Sequence, residues 1–293
     1  MRLVCVVLSW NGREDTLASL ESLGGIQTIC VDNGSTDGSA EAVAERFPEV
    51  ELIRTGVNLG FAAGNNVGIR RALDRGADWV ALLNNDAYVD SGFAEALAAA
   101  AERHPDAGVL ACKVYVVDPT DVLWYAGGSF DPRLGYSGRV RGSGQRDDGG
   151  FEQELDVDWA TGAALAVSRE AIERAGLLDE ELFAYLEDVD WCLRIRAAGL
   201  RVVLVPSAKA WHKVSASTGG PASPTSIRYH CRNTLVVCRR YRPLPRAGEA
   251  AREAVVIATH TLQALRQAGR GRALWAVVRG WRDYRRGRMG RLA

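Results

Sequence analysis

Ala81-Leu82-Leu83-Asn84-Asn85-Asp86 is an apolar run that stops at two amides and a carboxylate, the pattern of a buried strand ending in a polar site. In an open α/β sheet the carboxyl ends of parallel strands form the ligand crevice, so an acid placed there points toward a bound ligand. Two upstream runs end in the same way: Leu3 to Leu8 into Ser9-Trp10-Asn11-Gly12, and Thr28 to Val31 into Asp32-Asn33-Gly34-Ser35. Three such ends in one sheet predict an α/β fold with a site along that edge.

Working outward, Glu14 to Leu23 reads as a helix with Leu17, Leu20 and Leu23 turned inward. The turn and cap residues from Asp32 to Ser39 precede a helix over Ala40 to Phe47. Val50 to Arg54 is a third strand. The glycine-rich stretch Asn58 to Ile69 then opens a helix whose N-terminal N–H groups suit an anion such as a pyrophosphate. It is not a G-x-G-x-x-G dinucleotide fingerprint.

Beyond Asp86, Gly92 to Arg103 predicts a helix and Val109 to Val117 a strand, while Trp124 to Gly150 reads as a hairpin and a mobile loop over the site. Leu178 to Trp191 concentrates acids, with a helix from Asp188 that turns Val189, Cys192, Leu193 and Ala197 inward. Arg201 to Val205 returns as a strand stopped by Pro206. His212 precedes a Ser/Thr/Gly/Pro loop from Ser215 to Ser226, and helices follow from Arg232, over Ala247 to Gln267 and over Arg272 to Arg286.

The 293 residues, 47% hydrophobic and 25% charged, suit an ordered globular chain and exclude wholesale disorder. No run approaches a membrane span, and Met1-Arg2-Leu3 enters a strand without a signal-peptide pattern, so the expected location is the cytoplasm. The six cysteines lack metal-site spacing and read as reduced core residues. Net charge is zero, yet from Arg228 onward the only acids are Glu249, Glu253 and Asp283 among many arginines. That split predicts a basic tail facing an anionic surface.

Taken together, Val7-Leu8-Ser9-Trp10-Asn11, Val31 to Asp37, Asn58 to Gly68, Asn84-Asn85-Asp86, Thr161-Gly162-Ala163, Glu187-Asp188-Val189-Asp190-Trp191 and His212 resemble the family 2 glycosyltransferases, inverting enzymes on the GT-A fold. The resemblance covers roughly residues 1 to 240. It implies a Rossmann-like α/β fold with a mixed central sheet, a nucleotide-binding half over about 1–117, an acceptor half over about 118–240, and a basic helical extension over 241–293.

The resemblance also implies roles. Asp32 looks like the acid that reads the nucleotide, lined by Leu8, Ser9, Trp10 and Asn11, with Asn33, Gly34, Asn58, Gly60, Asn66, Asn84 and Asn85 completing the nucleotide-sugar pocket. Asn84-Asn85-Asp86 takes the place of an Asp-x-Asp motif, with amides where carboxylates are common. Asp86 and His212 would then hold Mg²⁺ or Mn²⁺ together with the donor diphosphate. Asp188 is the expected base, with Glu187, Asp190, Trp191, Thr161 and Gly162 as acceptor contacts or supports. The motif forms look most like the rhamnosyltransferase-type subgroup, which implies dTDP-L-rhamnose as donor and a glycan or lipid-linked saccharide as acceptor.

The basic helices carrying Leu274, Trp275, Val278 and Trp281 would suit peripheral contact with the inner membrane; the alternative is a helical pair packed on the domain or forming a homodimer. No nucleic-acid-binding motif accompanies them. Two rivals remain: another donor, UDP- or GDP-linked, or a non-catalytic nucleotide-sugar-binding subunit. A nucleotidyltransferase would need a basic glycine-rich loop after the first strand, and Ser9-Trp10-Asn11-Gly12 lacks one.

Overall fold

The computed structural model describes residues 1–132, 136–213, 223–267 and 269–292. Its central sheet starts with β1 (Leu3–Ser9), β2 (Thr28–Asp32), β3 (Glu51–Arg54) and β4 (Trp79–Asn84), which are parallel in the order β4-β1-β2-β3. β-Branched and aliphatic residues fill these strands, and Val4 to Val7 and Val80 to Leu83 are fully buried, as parallel strands covered on both faces require. Register places Leu8 beside Asn84 and Ser9 beside Asp32. The three polar strand ends therefore share one edge, as the sequence predicts.

Helices α1 (Arg13–Ser22), α2 (Ser39–Arg46) and α3 (Phe61–Asp74) connect these strands. Gly68 allows α3 to lie flat on the sheet, because a Cβ there would stand 2.3 Å from Val6 Cγ1. After Asp86 the short β5 (Ala87–Val89) leads to α4 (Phe93–Arg103) and β6 (Ala107–Val116). β7 (Leu123–Tyr125) pairs with β6, and β8 (Gly128–Asp131) forms a hairpin with β9 (Tyr136–Val140). Residues 133–135 of the expected loop lie outside the described residues.

The second half makes the sheet mixed. β10 (Leu155–Asp156), β11 (Ala164–Ser168), α5 (Arg169–Ala175), α6 (Glu187–Ala197) and β12 (Arg201–His212) follow in order. β11 inserts antiparallel between β4 and β6, and β12 runs parallel to β6. Pro206 does not stop β12 as the sequence suggests. The strand continues to His212 through a register shift between Val205 and Lys209, the irregularity where a strand proline is tolerated. This continuation carries His212 opposite Ala87, next to Asp86.

α7 (Pro224–Tyr241) is capped by the Ser223 hydroxyl, which accepts from Ser226 N. The expected loop over residues 214–222 lies outside the described residues. α7 packs with α8 (Arg246–Leu265) and α9 (Arg270–Arg285) around Ile227, Cys231, Leu235, Val256, Ala273 and Val277. The helical layer thus starts at Pro224 rather than 241, since α7 shares its core. All six cysteines are free and buried, and burial pushes the Cys5 and Cys30 thiols up to about 12. Among the described residues no helix is long and apolar enough to cross a membrane.

Candidate active site

At the shared edge, His212 Nε2 stands 3.0 Å from Asp86 Oδ1, with both side chains almost fully buried. Asn84 Nδ2 lies 3.3 Å from the same imidazole nitrogen, and Trp124 meets the ring edge-on at 4.8 Å. His212 Nδ1 is buried with no hydrogen-bond partner. Asp86 and His212, 126 positions apart, are brought together by the bulged continuation of β12.

One carboxylate and one imidazole fit a hard divalent cation that draws its other ligands from phosphate oxygens and water. Among the described residues there is no group of three or more His, Cys, Asp or Glu that could hold an ion by itself. A phosphate ligand would complete such a donor set.

Most amides assigned to the nucleotide pocket have partners inside the protein. Asn85 Nδ2 donates to Asn11 O at 2.8 Å and Thr16 Oγ1 at 3.0 Å, and Ser9 Oγ also meets Thr16. Asn11 binds the next loop, accepting from Thr36 N and donating its own N–H to Ser35 Oγ. Asn33 donates to Gly60 O and accepts from Leu59 N, while Asn58 accepts from Gly60 N. Gly34 packs on the Val57 backbone, where a Cβ would meet the carbonyl carbon at 2.7 Å.

Asn33, Asn58 and Asn85 are thus loop braces. Leu8, Ser9 and buried Asp32 still line the strand edge, and Trp10 is 36% exposed beside them. Asp32 Oδ1 accepts from Ser35 N at 3.2 Å, which fixes the turn after β2.

Two further expectations need correction. Asn66 donates to Leu178 O and Glu180 Oε1 and accepts from Leu178 N, so its amide anchors the acidic segment rather than a pyrophosphate. The first N–H groups of α3, from Phe61 and Ala62, donate to Phe183 O at 2.6 and 3.3 Å. A backbone carbonyl therefore takes the place expected for an anion. Gly60 permits the approach: its φ is +91°, and a Cβ there would lie 2.5 Å from the Phe183 ring.

Asp188 sits in the first turn of α6 and accepts from Gly162 N and Val189 N, each at 2.8 Å. The neighbouring Ala163 O accepts from Asn84 N at 3.0 Å. Thr161-Gly162-Ala163 therefore ties the Asp188 carboxylate to the strand end that carries Asp86. Thr161, itself buried, accepts from Ala163 N and shapes this turn.

Glu187 is buried, and its Oε2 has no partner. Burial, with repulsion from Asp188, pushes its carboxyl well above the ordinary range. Burial also raises Asp188, opposed by the N–H groups of Gly162 and Val189, which favour its ionised form. Asp188 is the partly accessible member of this pair.

Asp190 and Trp191 are both held within the scaffold around α6. Fully buried Asp190 accepts from Arg194, Arg240 and Tyr241, and Trp191 Nε1 donates to Gly176 O at 2.7 Å within the core.

Ahead of Glu187, Phe183, Tyr185 and Leu186 all take positive φ, from 64° to 70°. Ala184 N donates to Leu182 O across Phe183, a tight and strained three-residue turn. Buried Asn233 on α7 donates to Leu182 O, Ala184 O and Tyr185 O at 3.1, 2.9 and 2.7 Å. Buried Arg232 adds Leu182 O at 2.8 Å and braces Asn233 through Nε. Sequence reasoning missed this clamp. Its available signal was an Arg-Asn pair set into the otherwise apolar helix face of Tyr229, Cys231, Leu235 and Val237.

Comparisons with known proteins identify the family and the fold. The model of "Glycosyl transferase family 2" matches residues 5–174. The chain is 34% identical over 235 residues to an N-acetylglucosaminyl-diphospho-decaprenol L-rhamnosyltransferase of Mycobacterium tuberculosis, covering 72% of this chain and 74% of that protein. It is 26% identical over 220 residues to the dTDP-rhamnosyl transferase RfbF of Shigella flexneri, covering 72% and 70%. In fold it is similar to GalNAc-T7, crystallised with UDP, GalNAc and Mn²⁺, at a TM-score of 0.62 and 14% identity over 87% of this chain and 54% of that one. With the mixed sheet and its polar edge, these matches show that the chain belongs to glycosyltransferase family 2, in the rhamnosyltransferase-type subgroup, and is a glycosyltransferase on the GT-A fold.

Proposed function

We propose that this enzyme moves L-rhamnose, with inversion, from dTDP-L-rhamnose to a hydroxyl of a lipid-linked saccharide in cell-surface polysaccharide synthesis. The Gly162–Asp188 contact carries the mechanistic reading, because it fixes a carboxylate of raised basicity across one loop from Asp86. The two rhamnosyltransferase relatives support the donor and acceptor classes.

Asp188 takes the proton from the acceptor hydroxyl as that oxygen attacks C1 of the sugar. The bond from C1 to the diphosphate oxygen breaks, its electron pair leaves with the nucleoside diphosphate, and the configuration at C1 inverts. Glu187 lies buried beside Asp188, its carboxyl pushed well above the ordinary range by burial and by the Asp188 charge. Leu8, Ser9, Trp10, Asn11 and Asp32 form the nucleotide wall of the crevice. Asp86 and His212 would hold Mg²⁺ or Mn²⁺ together with the donor diphosphate, and the ion would offset charge on the leaving group.

A donor panel tests this reading. dTDP-L-rhamnose with Mn²⁺ is expected to raise the melting temperature and be turned over, while UDP- and GDP-sugars are not. A selective response to another nucleotide sugar overturns the donor assignment, and binding without turnover in the presence of acceptor favours a non-catalytic subunit.

A further inference from the structure

α8 is apolar on two sides. One stripe, with Val256 and Ala264, is buried against α7 and α9. The other, formed by Ala251, Val255, Ala258, Leu262 and Leu265 at helical spacing, is exposed, with Val255 at 45%, Leu262 at 60% and Leu265 at 43%. No charged residue interrupts α8 from Ala254 to Leu265. A helix face that is apolar at helical spacing is ordinarily covered. On the adjacent α9, Trp275 is 55% exposed, with the Arg282 guanidinium 5.5 Å from its ring centroid.

The charge of the segment that follows α8 points to what covers this face. From Arg266 to Leu292 there are nine arginines and one acid, Asp283. Asp283 is already paired with Arg228. Arg266, Arg270, Arg272, Arg279 and Arg282 are all exposed. A second copy would bring like charge against like. Anionic phospholipid supplies both an apolar layer for the leucines and tryptophan and phosphates for the arginines.

We propose that the outer face of α8, with Trp275 and the arginines of α9, seats the enzyme on an anionic membrane surface without crossing it. The helical layer is fixed to the acidic loop, because Gly290 N donates to Glu181 O and Arg232 donates to Gly290 O. Seating would therefore orient the acceptor side of the enzyme relative to the bilayer. The inference does not rest on the identity of the sugar or the acceptor.

Sedimentation of the 293-residue protein with vesicles of phosphatidylcholine alone, or of phosphatidylcholine with 30% phosphatidylglycerol, tests the proposal. Binding is expected only to the anionic vesicles, weakened by salt. V255E/L262E and, separately, R270E/R272E are expected to bind about tenfold or more weakly with unchanged melting temperatures. Equal binding to both vesicle types, or variants that bind like the wild type, overturns the proposal. So does the absence of vesicle binding with a dimer in solution that V255E/L262E dissociates, which would assign the face to a second copy. Donor binding is measured alongside; its loss or retention speaks to the transferase reading alone.

Discussion

The N–H of Gly162 donates to Asp188 Oδ2 at 2.8 Å, while the next residue's carbonyl holds Asn84 N. One turn of backbone thus couples the proposed base to the strand end that bears Asp86. Further arrangements around this link lead to measurable consequences.

Because burial raises the Asp188 carboxyl, the proposed base is protonated at pH values where an ordinary aspartate is ionised. Activity should rise with pH through that elevated value, and the acid limb of kcat/KM should lie above the ordinary aspartate value. A pH–rate profile with its acid limb at an ordinary aspartate value would contradict this assignment.

Glu187 gives a stability signature of its own. Its folded-state pKa lies well above the unfolded one, so its contribution is fully present below the ordinary glutamate value and is lost as pH rises through the folded value. Across that interval the native state holds the extra proton. Thermal melts should therefore show wild type losing stability with rising pH relative to Glu187→Gln, which should remain flatter and match or exceed it at pH 8. A uniform loss in Glu187→Gln at every pH would count against a neutral buried acid.

The Asn233 clamp predicts a split in kinetic constants. Asn233→Ala removes a donor to three carbonyls, of Leu182, Ala184 and Tyr185, and should cost about 2 kcal/mol of stability. In the fraction that remains folded, kcat should fall while the donor KM stays near wild type, because the clamp holds the approach to Asp188 rather than the nucleotide wall. Steady-state kinetics with varied donor measure both constants. A donor KM that rises with kcat unchanged would place the effect elsewhere.

For Asp86 and His212, titration with the nucleoside diphosphate separates metal from nucleotide contacts. Mn²⁺ should tighten binding to wild type, and Asp86→Ala or His212→Ala should remove most of that gain while EDTA affects neither variant. Retention of the full metal effect in both variants would remove these residues from the proposed site.

The sequence made the sheet legible because apolar runs ending in turn residues have few alternatives, and Asp32, Asn84 and Asp86 do emerge along one edge. The Asp86–His212 meeting was available only through family resemblance. It depends on β12 passing Pro206, which local propensity reads as a stop. Amides such as Asn33, Asn66 and Asn85 look the same in sequence whether they hold a ligand or a neighbouring loop, and the fold spends them on loops. Asp190 likewise reads as a site acid until Arg194, Arg240 and Tyr241 enclose it. The Arg232–Asn233 clamp joins residues some 50 positions from their partners, and no local pattern announces such a contact.

The most direct measurement is the anomeric configuration and yield of product from dTDP-L-rhamnose and a lipid-linked saccharide, for wild type and Asp188→Asn. Wild type should give a single product of inverted configuration. Asp188→Asn should still bind donor but turn over about 10²–10⁴-fold more slowly, the range general-base removal commonly produces. Retained configuration, or an Asp188→Asn enzyme as fast as wild type, would contradict the mechanism.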